Sequence, residues 1–294
     1  MRLLVTGGSG FVGSNFIRYI LQHYGPEWVT NVDALTTGRV ANLEGIAEDF
    51  GERYEFLHAD VADRDRIEAL FEKHQYFAVL HFAAAASGVV GTAALLEQAR
   101  RHGVRRFLLA SREGAKEMQP VEAAVLAAHR DHGHEAVITR TTDCYGPFQP
   151  PPAFIPATVI RALRDERVPL AGDGSRLRDW LHVEDYCAAA FTTLLDGEPG
   201  TIHHVGSGHE LRDIDLVHRI LEQLGKGREL VELGPDREAV LAARVGGDGN
   251  GSAAIVQPRD ALAWKPRHAF DQGLRETIDW YVRNREWWEA LPHS

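Results

Sequence analysis

The residues best suited to chemistry open the chain. Gly7, Gly8, Gly10 and Gly13 follow the apolar run Leu3-Leu4-Val5 and precede a helical pattern in which Phe11, Ile17, Ile20 and Leu21 are apolar. Glycines here permit a sharp turn and let the backbone approach a pyrophosphate, whose charge suits a helix N-terminus. Asp33 lies 20 residues beyond Gly13, at the end of the apolar run Trp28–Val32, where an acid meets ribose hydroxyls. The pattern predicts a dinucleotide site; a glycine-rich structural turn is the plainer alternative. Asp33 favours NAD over NADP because a carboxylate repels a 2′-phosphate, and nearby Arg39 weakens that preference.

A second set of groups falls near expected strand ends. Glu113 and Asp143 could move protons, Cys144 could act as a nucleophile, and Tyr145 carries a phenol. Each has a plainer reading: a solvated acid for Glu113, a turn acceptor for Asp143, an inert thiol for Cys144, and packing for Tyr145. Arg178 carries a planar guanidinium suited to a diphosphate; a salt bridge to Asp179 or Glu184 is the alternative. No metal site is expected. The two cysteines, Cys144 and Cys187, match no metal spacing and point to a reducing compartment. His132/His134 and His203/His204 lack ligand partners at useful spacing and read as surface or core residues.

The elements that must position these groups alternate. Strands are expected at Tyr54–Asp60, Phe77–Ala83, Arg106–Ser111 and Ala136–Thr141, beyond the two already described. Helices are expected at Arg64–His74 (capped by Asp63), Val89–His102 and Val121–His132, the last two stopped by Gly103 and Gly133. This is an α/β chain with a Rossmann doubly wound parallel sheet and a smaller C-terminal α/β substrate lobe. The proline-rich stretch Tyr145–Pro152 marks a connection. The Rossmann domain is expected over 1–148, with 178–206 returning to it, and the smaller lobe over 149–177 and 207–294. The lobe should hold a helix Ala153–Arg164 and one capped by Asp213 and running to Leu224. Gly246–Ser252 should form a loop. A tail helix Phe270–Trp288 should carry Leu274, Ile278, Tyr281 and Val282 on one face, with Trp287 and Trp288 packing. Its 294 residues suit one domain plus a smaller lobe, and a net charge of −10 argues against nucleic acid and anionic membrane as partners. No signal peptide or membrane-length run is evident, so a soluble cytoplasmic protein is expected.

The chain resembles the extended short-chain dehydrogenases/reductases of the NAD-dependent epimerase/dehydratase family, which act on nucleotide sugars, and within it the 4,6-dehydratases. The resemblance rests on Thr6–Asn15, His81-Phe82-Ala83-Ala84, Tyr145-Gly146-Pro147, Gly172-Asp173-Gly174, Arg178–Asp185 and Asp279–Arg285. It implies NAD as cofactor, with contacts from Gly7, Gly10, Phe11, Val12, Gly13, Asp33, Asp60, Val61, Phe82, Ala83 and Ala84. It implies a nucleotide-sugar diphosphate on Arg178. It also implies a homodimer paired through helices Val89–His102 and Val121–His132, whose faces include Ala94, Leu95, Ala123, Ala124 and Ala127. In the family's reaction hydride passes from sugar C4 to NAD, a Glu takes the C5 proton, an Asp protonates the leaving C6 hydroxyl, and hydride returns to C6. A Tyr takes the C4 hydroxyl proton; its reference pKa of about 10 is lowered by a Lys four residues on.

That Tyr-x-x-x-Lys is absent, and the resemblance sets Gly114 and Met118 in its place. Ser111-Arg112-Glu113-Gly114 stands for the family's Ser-Thr-Asp-Glu, and the loop that should follow is missing. Ala85–Gly88 replaces a substrate-facing loop, and Asp143-Cys144 replaces an Asn-Asn. The family's Arg-Pro-Gly-His-Asp-Arg segment is replaced around Gly246–Ser252. The losses cluster on the catalytic wall, which predicts an NAD(H)-binding homologue without the standard dehydration. An enzyme of altered chemistry on a nucleotide sugar or natural-product intermediate, and a scaffold without cofactor, are the alternatives.

Overall fold

The computed structural model describes residues 1–25, 27–235 and 264–290. The chain runs through β1 (Arg2–Thr6), α1 (Phe11–His23), β2 (Trp28–Asp33), α2 (Ile46–Phe50), β3 (Tyr54–His58), α3 (Arg64–Lys73), β4 (Ala78–His81) and α4 (Ala84–Arg101). It continues through β5 (Arg106–Arg112), α5 (Gln119–His132), β6 (Glu135–Thr141), β7 (Asp143–Tyr145), α6 (Phe154–Leu163), β8 (Val168–Ala171) and β9 (Leu177–His182). It closes with α7 (Val183–Asp196), β10 (Ile202–Val205), β11 (Glu210–Arg212), α8 (Asp213–Gln223), β12 (Val231–Gly234), α9 (Phe270–Arg283) and α10 (Arg285–Glu289).

Two compact units form. The first holds Met1–Thr141 and Val183–Val205 with residues 264–265; the second holds Thr142–His182 with 206–235 and 266–290. The first is built on a seven-stranded parallel sheet ordered β10-β6-β5-β4-β1-β2-β3. Residues of the central strands β1, β2, β4, β5 and β6 are mostly buried on both faces, as a parallel sheet covered on both sides requires. Leu4, Val79, Phe107 and Ile138 join Leu95 and Val125 of α4 and α5 in one core. Their alternates Leu3, Val5, Leu80, Leu108 and Val137 are equally buried and face the other side, where α7 meets β5 and β6 and packs on α1. Arg106 ties α7 down: its buried guanidinium donates to the carbonyls of Leu194, Leu195 and Gly197 at 2.7–2.8 Å. Those acceptors are the orphan carbonyls of the helix end.

Local signals explain most boundaries. Asp63 accepts from the Arg66 N–H at 3.3 Å and caps α3, and Gly133 ends α5 in the left-handed conformation that its missing Cβ allows. The helix expected from Val89 begins earlier, at Ala84, because three alanines form a first turn before Gly88 breaks the helical dihedrals (φ 59°, ψ −163°).

The second unit has a three-stranded sheet β11-β9-β7 and a two-stranded sheet β12-β8. Its core gathers Tyr145, Ile155, Trp180, Leu216, Leu274, Tyr281 and Trp288. Asp213 is the first residue of α8 rather than its cap; Arg212 holds the capping position. The tail forms two helices with a break at Asn284. Leu274, Ile278 and Tyr281 are buried as expected, but Val282 is exposed. One residue past Tyr281, it turns about 100° around the helix, off the apolar stripe. Trp288 is buried and its indole N–H donates to the Tyr281 carbonyl at 2.8 Å. The Gly246–Ser252 stretch lies outside the described residues. Among the described residues, no helix is long and apolar enough to cross a membrane.

Candidate active site

The glycine turn sits where β1 ends and α1 begins, beside the point where strand order reverses between β1 and β4, the ligand crevice of open α/β sheets. Gly7 has φ +73°, and a Cβ there would stand 2.7 Å from the Ala83 nitrogen. A Cβ on Gly13 would stand 2.2 Å from the Gly7 carbonyl oxygen. Phe11, Val12 and Gly13 form the first turn of α1, whose N–H groups have no partner within the helix. Asp33, buried at the end of β2, accepts from the Ser9 N–H at 2.8 Å and the Leu35 N–H at 2.7 Å. Two acceptor oxygens thus hold the turn and the loop after β2 at once. The chemistry of this set suits a dinucleotide: donors for an anion, then a carboxylate for hydroxyls.

The other expected cofactor residues are more varied. Asp60 is exposed and accepts from the Ala62 N–H at 2.8 Å. Val61 and Ala84 are buried in the core, so they can offer a ligand only backbone. Phe82 and Ala83 are half-buried, with the Phe82 ring 5.4 Å from Phe16. Just before them, as the last residue of β4, His81 is fully buried, with Nδ1 2.6 Å from the Thr6 hydroxyl and Nε2 2.9 Å from that of Thr92. Burial pulls its pKa down to about 3, so the ring is neutral.

On the wall where a reacting group would stand, Gly114 takes φ +72° with open space around it, and Met118 is buried in the core with Leu95 and Val125. Only residues 113–118 separate β5 from α5. Glu113 opens that link: its N–H donates to the Thr141 carbonyl at 2.9 Å and its carboxylate meets His204 Nδ1. His204 therefore has the carboxylate partner in space that its sequence neighbourhood lacks. Beside this pair, Ser111 donates to Glu122 at 2.5 Å, and Arg140 donates to both oxygens of the same carboxylate. Burial pushes Glu122 up, but the Arg140 and Ser111 hydrogen bonds outweigh it and hold the carboxyl below its ordinary range. From sequence, Glu122 and Arg140 carry no expectation, and His204 reads as a surface or core residue. The available signals were an acid on an otherwise apolar helix face and a histidine in alternation with buried His203.

Asp143, Cys144, Tyr145 and Arg178 belong to the second unit. Arg178 Nε donates to Asp213 at 2.8 Å and Nη1 to Asp143 at 3.5 Å. Its guanidinium lies 5.1 Å from the Phe154 ring centre and 5.9 Å from that of Trp180. Its acids are therefore not the neighbouring Asp179 or Glu184. Asp179 instead accepts from Ser207 Oγ and the N–H groups of Gly208 and His209. Burial works against the Arg178 charge, yet the Asp213 and Asp143 partners raise its pKa above the ordinary value. Asp213 is pushed up by burial, which Arg178 offsets in part. Cys144 is half-buried, and its carbonyl accepts from Gln149 Nε2 at 2.8 Å. Tyr145 is buried among Trp180, His182 and Phe270, and its hydroxyl reaches the Phe270 carbonyl at 3.4 Å.

Residues 4–113 match the GDP-mannose 4,6 dehydratase family model, and residues 118–206 match that of the NAD dependent epimerase/dehydratase family. The break between the two spans Gly114–Glu117. A curated dTDP-glucose 4,6-dehydratase from Streptomyces niveus is 38% identical, covering 99% of this chain and 96% of its own. That comparison runs over 332 positions against a chain of 294 residues, so at least 38 positions face gaps in this chain. Two solved structures share the fold. The dTDP-glucose 4,6-dehydratase from Bacillus anthracis in complex with NAD has a TM-score of 0.85 at 29% identity, with 99% of both chains covered. The Streptomyces venezuelae dTDP-glucose 4,6-dehydratase with NAD and TYD bound has a TM-score of 0.84 at 30% identity, again over 99% of both chains. By fold, motif order and end-to-end similarity, the chain belongs to the NAD-dependent epimerase/dehydratase family of extended short-chain dehydrogenases/reductases, and its relatives include dTDP-glucose 4,6-dehydratases.

Proposed function

We propose that the chain holds NAD(H) on the Gly7–Gly13 turn and a nucleotide sugar or related anionic ligand, and that it does not carry out the standard 4,6-dehydration. Asp33 would receive the ribose hydroxyls, and the first-turn N–H groups of α1 the pyrophosphate. Bound NAD supplies a hydride acceptor. Arg178 keeps a guanidinium for a diphosphate, at the cost of loosening its hold on Asp143. The resemblance to dehydratases solved with NAD supports the cofactor.

The observation that carries the loss is the pair Gly114 and Met118. The standard reaction needs a phenol and an ammonium four residues apart. Here one position is a left-handed glycine and the other a core methionine. Incubation of the NAD+-loaded protein with dTDP-glucose tests the reading, with the 4-keto-6-deoxy product followed by mass spectrometry. No product is expected, and robust turnover overturns it. Retention of NAD through purification separates the cofactor reading from a cofactor-free scaffold. The Glu113–His204 pair favours a second reading, an enzyme of altered chemistry.

A further inference from the structure

We infer that His204 and Glu113 form a proton-transfer dyad, with His204 Nε2 accepting the proton of a hydroxyl group on a polyhydroxylated ligand. The inference deepens the proposed function and rests on its reading that such a ligand and NAD bind.

The dyad stands at the carboxyl end of the parallel sheet, where open α/β folds place their ligands. Glu113 is the first residue beyond β5, and His204 lies on β10 in register with Arg140 of β6. The Glu113 N–H bond to Thr141 fixes the backbone that carries the carboxylate. The carboxylate occupies Nδ1, so the neutral ring carries its proton there and presents Nε2 as the base. Among the described residues, Nε2 has no hydrogen-bond partner. Both side chains are more than a quarter exposed, so a ligand can reach them.

The groups facing the dyad favour a charge that comes and goes. Arg140 and Glu122 are hydrogen-bonded to each other, yet each also acts on the dyad through its charge, Arg140 on Glu113 and Glu122 on His204, while His203 turns to Thr201. In the step, the ligand O–H bond breaks, its electron pair stays on oxygen, and the proton forms an N–H bond on Nε2. The resulting imidazolium sits against the Glu113 carboxylate, the arrangement by which an acid orients and steadies a histidine base. Glu113 thus positions, and His204 touches the ligand. The pair supplies proton acceptance without the missing phenol and ammonium.

The test uses the full chain loaded with NAD+ and labelled with 15N at histidine. Imidazole spectra are followed from about pH 5 to 9 before and after saturation with dTDP-glucose, and His204→Asn assigns the signal. Asparagine retains an N–H for Glu113 but has no Nε2 base, so the variant separates folding from proton acceptance. Ligand binding should shift the His204 Nε2 signal and move its midpoint by about half a pH unit or more. Glu113→Gln should erase the Nδ1–H preference. Ligand binding seen by calorimetry with an unmoved His204 overturns the dyad alone. Failure of dTDP-glucose to bind overturns the proposed function, and this inference with it.

Discussion

The carbonyl oxygen of Gly7 lies 2.2 Å from where a side chain on Gly13 would begin, and 3.2 Å from where one on Gly10 would. The two positions therefore differ in tolerance although both belong to one motif. Gly13→Ala must push the turn apart and should cost about 1–3 kcal/mol of stability, with NAD+ affinity falling at least tenfold. Gly10→Ala meets a tight but milder contact and should cost less stability than Gly13→Ala. Thermal unfolding and a fluorescence titration with NAD+ check both, and equal behaviour of the two variants would count against the packing argument.

Asp33 does two jobs with one carboxylate. Asp33→Ala leaves the Ser9 and Leu35 N–H groups without their acceptor. Hydrogen bonds to charged groups are worth about 1.5–3 kcal/mol, so NAD+ should bind about ten- to a hundredfold more weakly by calorimetry. Preference for NAD+ over NADP+ should shrink in the same experiment. Unchanged discrimination would place the ribose elsewhere.

Putting the missing groups back should not help. Gly114→Tyr forces a side chain into a left-handed conformation that costs about 1–2 kcal/mol. Met118→Lys asks an ammonium to enter the apolar cluster around Leu95 and Val125. The double variant should unfold at a lower temperature than the parent and yield no 4-keto-6-deoxy sugar. Appearance of that product would mean the wall is only two residues from working.

His81 sets a pH dependence of stability. An unfolded histidine titrates near 6.5, while burial holds the folded ring down to about 3. The folded state therefore refuses a proton that the unfolded chain accepts. The contribution is complete above about pH 6.5 and is lost as pH falls toward 3, by about 1.4 kcal/mol per pH unit. Urea unfolding at pH 7 and pH 5 should show a difference about 2 kcal/mol larger in the parent than in His81→Asn. Equal differences would remove His81 as the source.

What could be read from the sequence was local. The glycine turn, the Asp63 cap and the Gly133 stop each declare themselves within a few residues, because turn and cap chemistry depends on neighbours. Strand patterns likewise marked Arg106–Ser111 and Ala136–Thr141, the strands that became β5 and β6. Such patterns could not show that β9 pairs with β7 and β11 while β10 joins β6, since a strand pattern names no partner. His204 and Glu113 are 91 residues apart, and Arg178 and Asp213 are 35 apart. Only the fold joins such pairs. The missing Tyr and Lys were legible as absences, whereas the burial of Met118 required the packed helices.

Arg106 holds the end of a helix that has not yet been made when its own strand is complete. The ribosome delivers β1 to β6 first, then all of residues 142–182, and only afterwards α7 and β10. Until then one face of the sheet lacks α7, its edge at β6 stands open, and Arg106 has no carbonyls to hold. Synthesis therefore passes through a stage that is aggregation-prone by construction. A chain ended at Thr141 would keep every glycine of the nucleotide turn and still fail as an independent domain.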